Sequence, residues 1–319
     1  MESIEEILEF KRDHSIVILA HNYQAPEIQA IADFVGDTLC LAVKANDIDC
    51  DAIVFCGPDF MVEMTALLNP DKKVVYANPA ARCPLAAMCS AEDIEMLREK
   101  FPGVPIVGYM NTSVECRAKV DICCGSRNCV DIVRSLSSDQ IILIPDENLA
   151  AHVQRCVPEK KIISWLGFCA VHERIKGEDI EDLRKLHPNA EVLAHPECIP
   201  EVIDLATAVL STDEMVEHAM SSPSNEFIIV TESELVHRLV NAAPTKMFYT
   251  IPKAVCHTQK KITLQDVVRA LETLEPEVKL DEQTVIDARR PLERMLAIDA
   301  LRHINSVKSE GLCVSGSLQ

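Results

Sequence analysis

Three stretches decide how this chain reads: VILAHNYQAPEIQAIADFVGDT at residues 17–38, VGYMNTSVECRAKVDICCGS at 107–126 and LAHPECIPEVIDLATAVLST at 193–212. Each opens on a short apolar run that ends at His21, Tyr109 or His195. Glu27, Glu115 and Glu201 follow six residues later, and Thr38, Ser126 and Thr212 eleven residues after those. The offsets are 88 and then 86 in every set. Cys83, Cys169 and Cys256 keep nearly the same beat, at 86 and 87. Self-similarity at a fixed period marks repeated structural units. Four sets in register exclude a chance pairing.

The runs around these anchors alternate between strand and helix character. Residues 15–20 (SIVILA) are β-branched and apolar, as a buried parallel strand requires. Pro26 suits the first turn of a helix reaching about Val35, and Thr38 to Ala45 forms another. Strands at 52–56 and 74–77 flank a helix at 59–68. The second unit repeats this with strands at 106–109, 141–144 and 162–165 and helices at 114–121, 126–135 and 148–156. The third has strands at 192–195, 227–230 and 246–250, with helices at 201–209, 212–220 and 232–241. Ser3 and Glu6 read as a capping box on an opening helix over 2–12. Helices near 264–273 and 281–304 close the chain, and the tail from Ser309 reads as frayed.

The pattern therefore predicts an α/β protein of three similar three-layer parallel-sheet domains in a pseudo-threefold arrangement around a central site. The units run 1–83 plus 258–319, 84–169 and 170–257. Strand carboxyl ends, where such sheets bind ligands, face that centre.

A net charge of −19, from 31 basic and 50 acidic residues, argues against nucleic acid or anionic membrane as a partner. Aromatic residues make up only 4%, so the cores are aliphatic. The opening MESIEEILEFKRD is acidic and amphipathic rather than a signal peptide, and no apolar run approaches the ~18 residues of a membrane span. The expectation is a cytoplasmic protein whose 14 cysteines are reduced. Cys40, Cys50, Cys56, Cys116, Cys156 and Cys313 read as small buried hydrophobes. Cys123, Cys124 and Cys129 read as a packed group.

The three register cysteines carry chemistry. Each lies in a loop after its unit's third strand, and three soft thiolates meeting at one place suit an iron–sulfur cluster or zinc. Four cysteines normally hold a [4Fe–4S] cluster; three leave one iron open as a Lewis acid. Zinc competes, because His172 or His257 would complete a four-ligand site. Thr38, Ser126 and Thr212 lie where helices begin. They are either plain N-caps or parts of an anion site built from helix N-termini, with Arg127 as a possible helper. His21 with Tyr23, Tyr109 with Asn111 and His195 with Glu197 supply acid, base and hydrogen-bonding groups at one topological point.

Motifs around these residues resemble one family. A-H-N-Y-Q at 20–24, V-G-D-T at 35–38, G-Y-M-N-T at 108–112, G-S-R-N at 125–128, W-L-G-F-C-A-V-H at 165–172 and A-H-P-E-C at 194–198 are similar, in order, to those of the quinolinate synthases of NAD biosynthesis. The likeness spans residues 20 to 261. Two positions depart from it. Gln259 stands where C-x-x-M-K has Met, and Thr38 where the family has Ser.

The resemblance implies condensation of iminoaspartate with dihydroxyacetone phosphate to quinolinate, with loss of phosphate and two waters. It implies a [4Fe–4S] cluster on Cys83, Cys169 and Cys256. His21, Thr38, Tyr109, Asn111, Ser126 and Thr212 would bind substrate, and Tyr23, His195 and Glu197 would move protons. It also implies an aspartate oxidase or dehydrogenase as functional partner, to supply iminoaspartate. An iron–sulfur sensor or electron carrier, and a zinc-dependent lyase, are the readings of other classes. Oligomeric state is open at this level.

Overall fold

The structure is a computed structural model describing residues 3–313, with side chains through residue 299. The first unit holds α1 (Ile4–Asp13), β1 (Ile16–His21), α2 (Pro26–Ile31), β2 (Phe34–Gly36), α3 (Thr38–Asn46), β3 (Ala52–Cys56), α4 (Asp59–Leu68) and β4 (Lys73–Tyr76). The second holds α5 (Ala91–Lys100), β5 (Ile106–Tyr109), α6 (Val114–Arg117), β6 (Ile122–Cys124), α7 (Cys129–Ser135), β7 (Gln140–Ile144), α8 (Glu147–Cys156) and β8 (Lys161–Ser164). The third holds α9 (Ala170–Arg174), α10 (Gly177–Leu186), β9 (Glu191–Ala194), α11 (Pro200–Asp204), β10 (Ala208–Val209), α12 (Thr212–Ser221), β11 (Glu226–Val230), α13 (Leu235–Ala242) and β12 (Met247–Thr250). Helices α14 (Leu264–Thr273) and α15 (Glu282–Cys313) follow.

Each unit builds its own four-stranded parallel sheet, in the orders β2-β1-β3-β4, β6-β5-β7-β8 and β10-β9-β11-β12. The expected α/β class with three similar sheets is what the chain forms. Side chains of the central strands β3, β7 and β11 are almost wholly buried, as a sheet covered by helices on both faces demands. Helix α14 covers the first sheet through Val267, Ala270 and Leu271, while Ala288, Leu292 and Met295 of α15 join the core of the second unit.

Each unit has one strand more than the sequence reading allowed. Helices expected to reach Val35, Asp121 and Val209 stop at Ile31, Arg117 and Asp204, and the edge strands β2, β6 and β10 follow. The cause recurs three times. Asp33, Asp121 and Thr207 each turn a side-chain oxygen onto the backbone N–H of Ile18, Ile106 or Val192, at 2.8, 2.8 and 3.0 Å. Their own N–H groups donate to the carbonyls of those same residues, at 2.8 to 2.9 Å. That double clamp docks the chain on the central strand and starts the new strand there. Edge strands of two or three residues are too short to show alternation.

Smaller expectations divide. The Ser3 hydroxyl accepts the Glu6 N–H at 3.2 Å, capping α1. Glu27, Glu115 and Glu201 are exposed in the first turns of α2, α6 and α11, where a carboxylate favours the helix dipole. Cys50, Cys56 and Cys116 are buried, but Cys40 is exposed on the larger cleft and Cys156, packed at the edge of the second unit's core, is only half-buried. Cys123, Cys124 and Cys129 are buried, and Cys124 and Cys129 bring their sulfurs to 3.3 Å. The tail expected to fray from Ser309 instead continues α15 as far as Cys313, and residues 314–319 and the Cys313 side chain lie outside the described residues.

Candidate active site

The site assembles where the strands end. His21 and Tyr109 are the last residues of β1 and β5, and His195 follows β9 directly. The loops after β4, β8 and β12 carry Cys83, Cys169 and Cys256. One cavity of about 80 Å³ is lined by all twelve residues singled out above, from His21 and Tyr23 to Thr212 and Cys256. A larger cleft of about 480 Å³ shares Asp37, Thr38, Tyr109, Asn111 and Ser126 with it.

Each cysteine is anchored alike. The Cys83 N–H donates to Asp59 Oδ1, the Cys169 N–H to Asp146 Oδ2 and the Cys256 N–H to Glu232 Oε1, each at 3.1 Å. Positions 59, 146 and 232 are themselves in register, at offsets of 87 and 86. Sequence reasoning missed these carboxylates, although the same period would have found them. Burial pushes the Cys83 and Cys169 thiols up; Cys256 adds to the rise at Cys83, and Glu197 and then Cys83 add to the rise at Cys169. Thiols so placed ionise only beside a positive centre, so this donor set fits a thiolate-bound metal group.

The zinc ligands fare differently. Cys169, His172 and Glu197 bring ligand atoms within 4.8 Å of one another, but His172 Nε2 already lies 2.8 Å from the Thr231 hydroxyl. His257 is exposed and does not line the cavity.

The hydroxyl residues are not the caps. Asp37 caps α3, accepting the Cys40 N–H at 2.8 Å, and Ser211 caps α12 in a full capping box with Glu214. Thr38 and Thr212 therefore sit one residue inside their helices. No α-helix starts at Ser126, because residues 125–128 form a turn ahead of α7. The Thr212 hydroxyl accepts a bond from Asn22 Nδ2 at 2.8 Å, tying the first unit to the third. Arg127 is spent on Glu217, through two bonds of 2.9 Å, rather than aimed at the cavity.

A polar chain crosses the cavity wall. Tyr23 Oη lies 2.8 Å from Thr231 Oγ1, the oxygen that also contacts His172. His172 Nδ1 lies 2.8 Å from Glu197 Oε2. The His172 and His195 rings stack at 4.6 Å. Burial opposes ionisation of Glu197, but a bond from His172 and, after it, the Tyr109 hydroxyl outweigh it and hold the carboxylate charged. Burial lowers His21 to about 4 and His195 to about 3, the latter helped by His172, so both rings are neutral near pH 7. Burial, then the Glu197 charge, keeps Tyr23 and Tyr109 protonated. The site thus offers phenol and imidazole donors around one fixed carboxylate. Two buried residues 88 apart shape the loops beneath. Gln29 bonds the Asn22 and Gln24 carbonyls, and Arg117 those of Met110 and Thr112.

Comparison with known proteins places this geometry. Residues 5–297 match the model of the NadA family, described as quinolinate synthetase A protein. The chain is 46% identical over 297 residues to the quinolinate synthase of Thermodesulfovibrio yellowstonii, covering 93% of this chain and 98% of that one. It is 45% identical to that of Methanoregula boonei, over 92% of this chain and 97% of that one. It is 43% identical to that of Alkaliphilus metalliredigens, over 92% and 98%. No helix among the described residues is long and apolar enough to cross a membrane. With cysteines, hydroxyls and acid–base groups gathered at matching strand ends, and near-full-length identity to these enzymes, the chain belongs to the quinolinate synthetase A family.

Proposed function

We propose that this protein is a quinolinate synthase, condensing iminoaspartate with dihydroxyacetone phosphate to quinolinate with loss of phosphate and two waters. The observation that carries the reading is the gathering of Cys83, Cys169 and Cys256, from three separate loops, on one cavity with the polar residues. We assign to these cysteines a [4Fe–4S] cluster. When bound, it supplies an iron without a protein ligand, a Lewis acid for a leaving hydroxyl.

The chain's own residues do the rest. Thr38, Ser126 and Thr212 hold the phosphate and carboxylates of the substrates, with Tyr109 and Asn111 closing over them. Tyr23, protonated at working pH, donates a proton to a departing oxygen and is reloaded through Thr231 and His172. Glu197 stays ionised and holds the cationic form of whichever imidazole takes up a proton. His195 Nδ1 accepts the Glu197 N–H at 3.3 Å, so its Nε2 carries the proton and donates into the cavity. Three units of 1–83 plus 258–319, 84–169 and 170–257, set pseudo-threefold about the cavity, account for one cysteine from each. Iminoaspartate is unstable, so an aspartate oxidase or dehydrogenase has to supply it, and we place the protein with them in the cytoplasm.

The test is iron and acid-labile sulfide on protein purified without oxygen. Wild type is expected to hold roughly four of each per chain. Cys83→Ala, Cys169→Ala and Cys256→Ala are expected to lose them, and a Cys124→Ala control to keep them. Quinolinate formation from the two substrates is then expected in wild type and in the control, and in none of the three cysteine variants. A colourless protein with one zinc and no sulfide would overturn the cluster assignment.

A further inference from the structure

The third cysteine loop carries a residue that the reading above leaves unused. Gln259 opens a short 3₁₀ turn three residues after Cys256 and is buried. Its side chain reaches into the first unit, where its Nε2 lies 3.0 Å from His21 Nδ1. Its Oε1 accepts a bond from Gln24 Nε2, also at 3.0 Å. The backbone N–H of Tyr23 lies 3.3 Å from the same His21 nitrogen.

The long backbone contact shows the polarity of the chain of contacts, and the shorter Gln259 contact is the one that holds it. An N–H in the main chain only donates, so His21 Nδ1 has to accept. Gln259 must then present its amide N–H to the ring and its oxygen to Gln24. A neutral imidazole that accepts at one nitrogen carries its proton on the other. In His21 that is Nε2, which no described residue bonds while the ring lines the cavity. His195 receives the matching backbone contact from Glu197, but no side-chain amide.

We propose that Gln259 is a positioning residue that locks His21 as the Nε2–H tautomer, making the ring a hydrogen-bond donor to a substrate oxygen. The assignment of a substrate to the cavity rests on the quinolinate synthase reading; the tautomer does not. Burial supports it, since it keeps the ring neutral and so leaves the tautomer to be chosen by the neighbours. A fixed donor suits an anionic substrate oxygen, and a fixed donor at Nε2 cannot act as a base there.

Three variants test this in the anaerobically purified holoprotein: Gln259→Glu, Gln259→Met and His21→Asn. Histidine-selective ¹⁵N NMR reads the protonated nitrogen directly, with His21 assigned by its loss in His21→Asn. Wild type is expected to show Nδ1 bare and Nε2 protonated, and Gln259→Glu, whose carboxylate only accepts, to reverse them. Steady-state rates give a second readout. Loss of one preorganised donor costs about 10²-fold in kcat, so Gln259→Glu should fall about that far and Gln259→Met less. A residue that only fills space predicts the opposite order, because Glu matches Gln in shape and Met does not. The Gln259→Glu loss should shrink as pH falls, since a protonated carboxyl, or a protonated ring, restores the Nε2 donor. In the His21→Asn background, Gln259→Glu should have no further effect. A His21 proton on Nδ1 in wild type, or Gln259→Glu as active as wild type, overturns the proposal. A wild type with the expected tautomer that forms no quinolinate overturns only the functional reading.

Discussion

Tyr23 and Thr231 stand 208 residues apart in sequence, yet their side-chain oxygens meet at 2.8 Å inside the wall of the cavity. The Thr231 hydroxyl lies equally close to His172, so it links the phenol to the imidazole. Thr231→Val keeps the shape and removes the hydroxyl. The expected result is a fall in kcat of about 10²-fold or more, the range of a lost general acid, with iron and sulfide unchanged. Tyr23→Phe should fall as far, and the double variant little further, because the two act as one unit. Steady-state kinetics on the four proteins decide it.

If the cysteines hold the proposed cluster, the carboxylates behind them should affect its loading rather than the chemistry. Asp146 caps α8 through the Leu149 N–H at 2.7 Å while its other oxygen holds the Cys169 N–H. Asp146→Ala removes both, and loss of a cap alone costs about 1 kcal/mol. Iron and sulfide should drop in Asp146→Ala, Asp59→Ala and Glu232→Ala, measured on protein purified without oxygen. Full iron with lost activity in all three would show that these residues do not position the thiols.

Asn22 is a buried three-way junction. Its Nδ2 donates to Thr212 and to Asp213, and its Oδ1 accepts from Arg238 at 2.7 Å. Asn22→Ala leaves those groups short of a partner inside the protein, at a cost of about 1–3 kcal/mol. Chemical denaturation should register that loss. KM for the substrate held by Thr212 should rise as well, because the hydroxyl loses the donor that orients it.

Asp37 gives the fold a pH dependence of unusual sign. Burial, then the Asp213 charge, raises its carboxyl from 3.8 to about 7. A carboxyl raised on folding binds more protons in the native state throughout that window, so stability falls as pH rises from about 4 to about 7 and stays lower above it. Asparagine caps helices as well as aspartate does and carries no charge. The thermal midpoint of Asp37→Asn, relative to wild type, should therefore climb between about pH 5 and about pH 8. An unchanged difference across that range would rule the effect out.

Much of the site was readable because it is written three times. The register of His21, Tyr109 and His195, and of the hydroxyls and cysteines, picked out residues that all line one cavity. What stayed hidden has physical reasons. β2, β6 and β10 have two or three residues, too few for alternation to show, and they are set by side chains docking on a neighbouring strand. Gln29 and Arg117 do the same job with different chemistry, so matching residue types could not pair them. Thr231 has prolines, Pro58 and Pro145, near the equivalent positions of the other units, so no repeat pointed to it. The hydroxyls were placed near the right helices but mistaken for possible caps, because Asp37 and Ser211, one residue earlier, take that task.

Each sheet is complete within its own stretch of chain, but the first unit is not. Ile262, Val267, Ala270 and Leu271, which cover one face of the first sheet, follow the whole third unit in the chain, and the α15 residues that seal the second unit come later still. During synthesis the earliest-made core therefore waits, unroofed, until the third unit has been made. The Cys256 loop lies only a few residues ahead of that roof, so the third thiol and the closing helix emerge almost together. A chain cut short before Cys256 would carry two of the three thiols and leave the first sheet uncovered.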